Sequence, residues 1–406
     1  IFGTKPLHMP GFEIFGKEER KEVNDVLESG ILMRYGFDHM RNGHWKAKEL
    51  EQAVTETFSV NHAQLPSSGT TALSTAMAVM GVGAGDEVIM PTFTFVASFE
   101  AIIAAGATPV LVDVDDTLCL DPKAVEAAVT PKTKMVMPVH MCGSMAQMDE
   151  LQAICKKHDL LLLEDACQAI GGTFNGQKLG TIGDGGTFSF DFVKTITCGE
   201  GGVFITNNES YYRNADHYTD HGHDHMGSDR GAETHPFLGY NFRISELHAA
   251  VGVAQIRKLD FILETQRKNN AIIKAAISQV EGVTFRRIPD PKGDNASFLS
   301  FFLPTEDLTR KAHKALLANG LGGNFYWFDN NWHYIKKWEH LKNATSLFPL
   351  NPGLVEAIGK MDFNNFKQSD EVMGRTISSL INLTWTEAQA NERAEKMAAT
   401  LKSILG

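Results

Sequence analysis

Between residues 64 and 206 the chain alternates short, β-rich apolar runs with helical patterns, and this alternation restricts the fold more than any other feature. EVIMP (87–91), TPVLVDV (108–114), KMVMPVH (134–140) and LLLLEDA (160–166) read as strands. Helical candidates at 93–105, 122–129 and 147–158 separate them. Strands joined through helices pair in parallel, and their near-continuous apolar character fits burial on both faces of one sheet. GTFSFD (186–191) and GGVFIT (201–206) have no helix between them, so they read as a hairpin-like edge around the loop DFVKTITCGEG.

Two helices are expected before the alternation, at 17–29 with a stop at Gly30, and at 45–58. A polar loop rich in His, Asp and Gly fills 216–239, and a long helix is expected from near Ser245 past Leu259. Beyond it, strand-like GVTFRRI (282–288) and SFLSFFL (297–303) mix with helices, the last from Thr386. A chain of 406 residues suits a large domain, placed at 9–262, and a smaller α/β domain at 263–406.

The net charge of −11, without long Lys or Arg blocks, argues against nucleic-acid binding. Five cysteines at irregular spacing read as reduced thiols of a cytoplasmic protein. No apolar stretch approaches the roughly 18 residues of a membrane span, and no signal-peptide pattern is present. Residues 1–8 precede Met9, which reads as a natural start.

Four segments carry chemistry. SSGTTAL (67–73) opens a helix with small residues and hydroxyls, which makes an anion site or an ordinary Ser-capped helix. LLLLEDA puts Glu164 and Asp165 at a strand's carboxyl end, where ligands of open α/β sheets collect. A carboxylate there keeps a heteroaromatic nitrogen protonated, or caps the next turn. In GTFSFDFVKTITCGEGG (186–202), Lys194 follows Phe188, Phe190, Phe192 and Val193 and precedes a Gly-rich turn. A lysine held out of water there can attack an aldehyde; the alternative is a solvated surface charge. PTFTFVAS (91–98) offers Phe93 and Phe95 as a stacking face or as core. A phosphate cradle, a stacking ring, an acid for a ring nitrogen and a reactive lysine are together what pyridoxal phosphate needs.

These segments resemble the DegT/DnrJ/EryC1 sugar aminotransferases, and the resemblance is densest over residues 64–250. It implies fold type I, with a mostly parallel seven-stranded sheet covered by helices. It also implies cofactor roles residue by residue: Gly69 and Thr70 at the phosphate, Phe95 on the ring, Asp165 at the pyridine nitrogen, Gln168 near the phenolic oxygen, Ser189 at the phosphate, and Lys194 as the Schiff-base lysine and general base and acid. GYNFRISELHAA resembles the segment whose Asn, here Asn241, reaches the phosphate of the neighbouring subunit, which implies a homodimer with shared sites. Relatives with His in place of the lysine dehydrate sugars, so Lys194 points to transamination from an amino acid, L-glutamate, to a keto or aldehyde sugar.

Three segments depart from the common pattern: residues 32–45, 217–225 and 325–334. They resemble those of relatives that aminate the 8-oxo form of the lipopolysaccharide sugar Kdo. A nucleotide-linked 4-keto sugar is the alternative substrate, and a non-catalytic regulator or binding protein is the alternative of another class. Arg34, Arg41 and the His-rich loop are candidates for contacting an acidic sugar. His217, His221, His223 and His225 share one polar loop without the i,i+4 spacing of a helical metal pair, so no metal is expected. Trp327 and Trp332 read as core of the small domain, or as a sugar-binding wall.

Overall fold

The computed structural model describes residues 10–227 and 229–406; the expected start at Met9 lies outside them. The main sheet holds β1 (His62–Gln64), β2 (Glu87–Pro91), β3 (Thr108–Val112), β4 (Thr133–Val136), β5 (Leu161–Asp165), β8 (Gly185–Ser189) and β9 (Gly202–Thr206). A small hairpin, β6 (Thr173–Phe174) and β7 (Gln177–Lys178), stands apart. The sheet order is β1-β9-β8-β5-β4-β2-β3, and only β9 runs against the others. The α/β reading and the seven strands therefore hold. One placement needs correction: β8 and β9 do pair antiparallel, but β1 pairs with β9 and takes the edge. Three residues are too short a run for period-two alternation to announce a strand.

Local chemistry sets the element ends. The helix Lys17–Ser29 stops at Gly30, whose φ of 70° is left-handed and costs glycine little. Asp121 caps the helix Pro122–Ala128, whose Pro sits in the first turn where a missing N–H is harmless. The expected long helix from Ser245 is two, Glu246–Ile256 and Leu259–Ile277.

A second sheet is antiparallel, with order β10 (Thr284–Phe285), β11 (Phe298–Phe302), β13 (Thr376–Leu380), β12 (Asn324–Phe325). Its own core, including Ile273, Phe301, Leu316, Ile377 and Leu401, is separate from the larger core of the main sheet. The helix Leu259–Ile277 places Leu259, Ile262 and Leu263 in one core and Ile273 and Ile277 in the other, so residue 263 falls inside a helix that joins them. No described helix is long and apolar enough to cross a membrane.

Candidate active site

Three parallel strands end at one edge of the sheet and deliver Thr94–Phe95, Asp165 and Ser189 there. The turn after β1 adds Ser68, Gly69 and Thr70. Together they line a cavity of about 230 Å³ that also holds Ser98, Gln168, Lys194 and His333.

The helix Gly69–Val79 opens the cradle. Ser68 Oγ accepts from the Thr71 N–H at 3.1 Å, and Thr71 Oγ1 accepts from the Ser68 N–H at 2.9 Å. This fixes the turn and leaves the N–H groups of Gly69 and Thr70 without protein acceptors among the described residues. A Cβ on Gly69 would lie 2.8 Å from Ser189 Cβ. Only glycine lets the helix start and the end of β8 approach this closely, with the Ser189 hydroxyl facing the same space. A phosphate fits such a cradle of free amides and hydroxyls at a helix N-terminus.

Asp165 sits at the far side. Its Oδ2 accepts from Ser98 Oγ at 2.8 Å and its Oδ1 from the Cys167 N–H at 3.2 Å. Thr94 Oγ1 in turn lies 2.7 Å from Ser98 Oγ. Glu164 points to the opposite face, as strand alternation requires. There it meets His140 at 2.9 Å and accepts from three backbone amides, Gly180, Ile182 and Gly183, so it buttresses the sheet.

Lys194 rides on a turn between β8 and β9. Its N–H donates to Asp191 O at 3.0 Å, and its carbonyl accepts from the Gly11 N–H at 3.3 Å. Its Nζ lies 5.8 Å from the centre of the Phe95 ring. The apolar residues before it divide: Phe188 and Phe190 are core, whereas Phe192 and Val193 are each 47 % exposed. Gln168 lines the cavity and accepts from the Cys142 N–H at 3.2 Å.

Seven of the eight expected residues thus meet at one place: Gly69, Thr70, Phe95, Asp165, Gln168, Ser189 and Lys194. Asn241 does not. It is exposed, on a segment bridged to Asp220. Arg34 and Arg41 also stay away. Arg34 is buried against Glu51 at 2.5 Å, and Arg41 against Glu246 at 3.4 Å, so neither is free to meet a substrate. His225 of the polar loop lies between Asp216 at 2.7 Å and Asp220 at 2.9 Å.

The aromatic stretch 325–334 forms a strap over the site. It runs antiparallel to residues 92–96: Thr94 N–H donates to His333 O, Val96 N–H to Trp332 O and Ile335 N–H to Thr92 O. Trp332 is 55 % exposed and stacks on Phe95 at 5.7 Å with the rings 4° from parallel, so it is not core. Trp327 is buried and lines a second cavity of about 190 Å³, which shares Gln168, Val193, Lys194 and His333 with the first. Ser98 and His333 carry no local signal of a role. Ser98 acts on a partner 67 positions away, and His333 is brought in by the strap.

The fit to pyridoxal phosphate is close: a cradle that a Cβ would fill, a carboxylate across the cavity, an aromatic face and a lysine between them. A sheet edge arranged this way defines a pyridoxal-phosphate enzyme of fold type I. More particularly, the chain belongs to the DegT/DnrJ/EryC1/StrS aminotransferase family, whose model matches residues 13–354. It is 42 % identical over 213 residues to GDP-perosamine synthase of Caulobacter vibrioides, covering 52 % of this chain and 56 % of that one. It is also 42 % identical over 258 residues to the L-glutamine:2-deoxy-scyllo-inosose aminotransferase of Streptoalloteichus tenebrarius, covering 59 % and 61 %. The chain thus spans less than two thirds of these relatives' own lengths. The crystal structure of 3-amino-5-hydroxybenzoic acid synthase superimposes with a TM-score of 0.81 at 29 % identity, over 98 % of this chain and 99 % of that one.

Proposed function

We propose that the protein transfers an amino group from L-glutamate to a carbonyl sugar, 8-oxo-Kdo, giving 8-amino-3,8-dideoxy-manno-octulosonate. Lys194 carries the reading: it lines both cavities, so one amine serves the cofactor and whatever enters the second chamber. When bound, pyridoxal phosphate supplies an electron sink that lets a proton leave and return at carbon. In this reading Gly69, Thr70 and Ser189 hold its phosphate, Asp165 keeps its ring nitrogen protonated, and Phe95 covers its ring. Lys194 Nζ would take the proton from the donor's α-carbon and release it two atoms away, on the cofactor's former aldehyde carbon, the 1,3-shift that leaves the amino group with the cofactor.

Among the described residues, the second chamber has no cation except Lys194. Such a neutral wall suits a substrate whose carbonyl lies far from its charge. In 8-oxo-Kdo the aldehyde and the carboxylate are at opposite ends of the chain. A nucleotide-linked 4-keto sugar also keeps its charge away from its carbonyl, and the likeness to a GDP-perosamine synthase favours that second reading. A non-catalytic role fits less well, because Asp165 and Lys194 stand in one cavity with their supports intact.

A second copy of the chain belongs to this reading. Asn241 is exposed, as are Phe12, Phe192, Val193 and Tyr240. The five cysteines are free thiols, in keeping with a reducing cytoplasm.

The test is the visible spectrum of the protein loaded with pyridoxal phosphate. Glutamate should bleach the long-wavelength band, and 8-oxo-Kdo should restore it faster than a GDP-linked 4-keto sugar. The opposite order selects the second reading; a band that glutamate never bleaches rejects transamination from this donor.

A further inference from the structure

We propose that His333 is a specificity-determining residue, whose Nε2 accepts a hydrogen bond from the hydroxyl beside the reacting carbonyl of the sugar. The inference rests on the sugar-transaminase reading and deepens it.

The tautomer follows from the strap. Asn330 Oδ1 accepts from the Trp332 N–H at 2.8 Å, which identifies that atom as the amide oxygen. His333 Nδ1 lies 3.0 Å from the same oxygen. Two lone pairs do not meet at that distance, so Nδ1 carries the proton and donates. A neutral imidazole has one ring proton, and Nε2 is therefore an acceptor. No described protein group bonds to it.

The ring is neutral at working pH. Burial, and then the positive charge of Lys194, push its pKa down to about 3. It is wedged between Phe95 at 5.4 Å and Trp327 at 4.5 Å, and its backbone carbonyl is tied to Thr94. His333 shares both cavities with Lys194, so it stands at the seam where a carbonyl must sit to meet the amine. A fixed lone pair there favours a hydroxyl. The amino-acid donor has no hydroxyl beside its reacting carbon. His333 should therefore act on the sugar half of the reaction and leave the donor half nearly untouched.

The experiment uses full-length enzyme carrying pyridoxamine phosphate and two small aldehydes that differ by one hydroxyl, glycolaldehyde and acetaldehyde. Single-turnover recovery of the visible band is measured for each. The glycolaldehyde-to-acetaldehyde rate ratio should fall about 10-fold in His333→Leu, the scale of one lost hydrogen bond in a buried site. Bleaching by glutamate should stay within about threefold of wild type. His333→Gln, which keeps an acceptor, should recover part of the ratio. Asn330→Asp, nearly identical in shape, should also lower it, because a carboxylate at Nδ1 promotes protonation of Nε2. An unchanged ratio in His333→Leu and Asn330→Asp would overturn the proposal, as would slowing of the glutamate step as large as that of the aldehyde step. Failure of wild type to bleach with glutamate is a separate outcome and strikes the transaminase reading instead.

Discussion

Asp165 reaches its place through a short chain of hydroxyls, with Ser98 against the carboxylate and Thr94 behind Ser98. Hydrogen bonds to a charged group contribute about 1.5–3 kcal/mol. Ser98→Ala should therefore lower kcat about 10-fold, with little change in KM for the sugar, in steady-state assays. Lys194→Ala should lower kcat by at least about 10³-fold, since it removes both the covalent anchor and the proton carrier. Its far-ultraviolet circular dichroism should match wild type, because the turn is held by backbone bonds to Asp191 and Gly11. Gly69, Asp165 and Lys194 were legible as candidates only as a set: each short run alone has a bland reading, and it is their order and chemistry together that match what pyridoxal phosphate needs. Ser98 and His333 were not, because their significance lies in partners distant along the chain. Arg34 and Arg41 misled for the same reason: no local pattern shows that Glu51 and Glu246 fold against them.

At the scale of elements, the polar loop that begins near His221 is fastened to the helix Glu209–Tyr218 through charge. Burial works against a charged His225, but the Asp216 and Asp220 carboxylates overcome it and raise its pKa to about 9. Arg230 and Arg243 share Asp220. Because the folded value lies above the unfolded one of about 6.5, the stabilisation is complete below about pH 6.5 and is lost as pH rises through about 9. Amide exchange at Gly222 and His223, corrected for intrinsic rates, should accelerate across that interval and hold steady below it. His225→Leu should be less stable at neutral pH by about 2 kcal/mol, since Asp216 loses its cationic partner while Asp220 keeps Arg230 and Arg243. The strands β2 to β5 were readable from composition because burial on both faces leaves an apolar run. β1 was not, because three residues carry too little pattern and its place at the edge is decided by pairing with β9.

For the molecule as a whole, the proposed homodimer can be tested without a structure of the pair. If Asn241 serves the neighbour's cofactor, a hybrid of Lys194→Ala and Asn241→Ala chains contains one site with both defects and one with neither. Mixing the two weak variants under exchange conditions should then raise activity well above their average. If Asn241 serves its own chain, mixing gives only the average.

The strap bears on how readily the site could be redirected. It is one continuous piece, hung on residues 92–96 by main-chain links that any sequence can make. The cradle, the acid and the lysine all lie outside it. The strap supplies Phe325, Trp327, Asn330 and His333 to the second cavity, so exchange of that single stretch should change one wall of it and leave the cradle, the acid and the lysine intact. A library confined to residues 325–334 should therefore yield variants that differ in the carbonyl they accept while glutamate still bleaches the visible band.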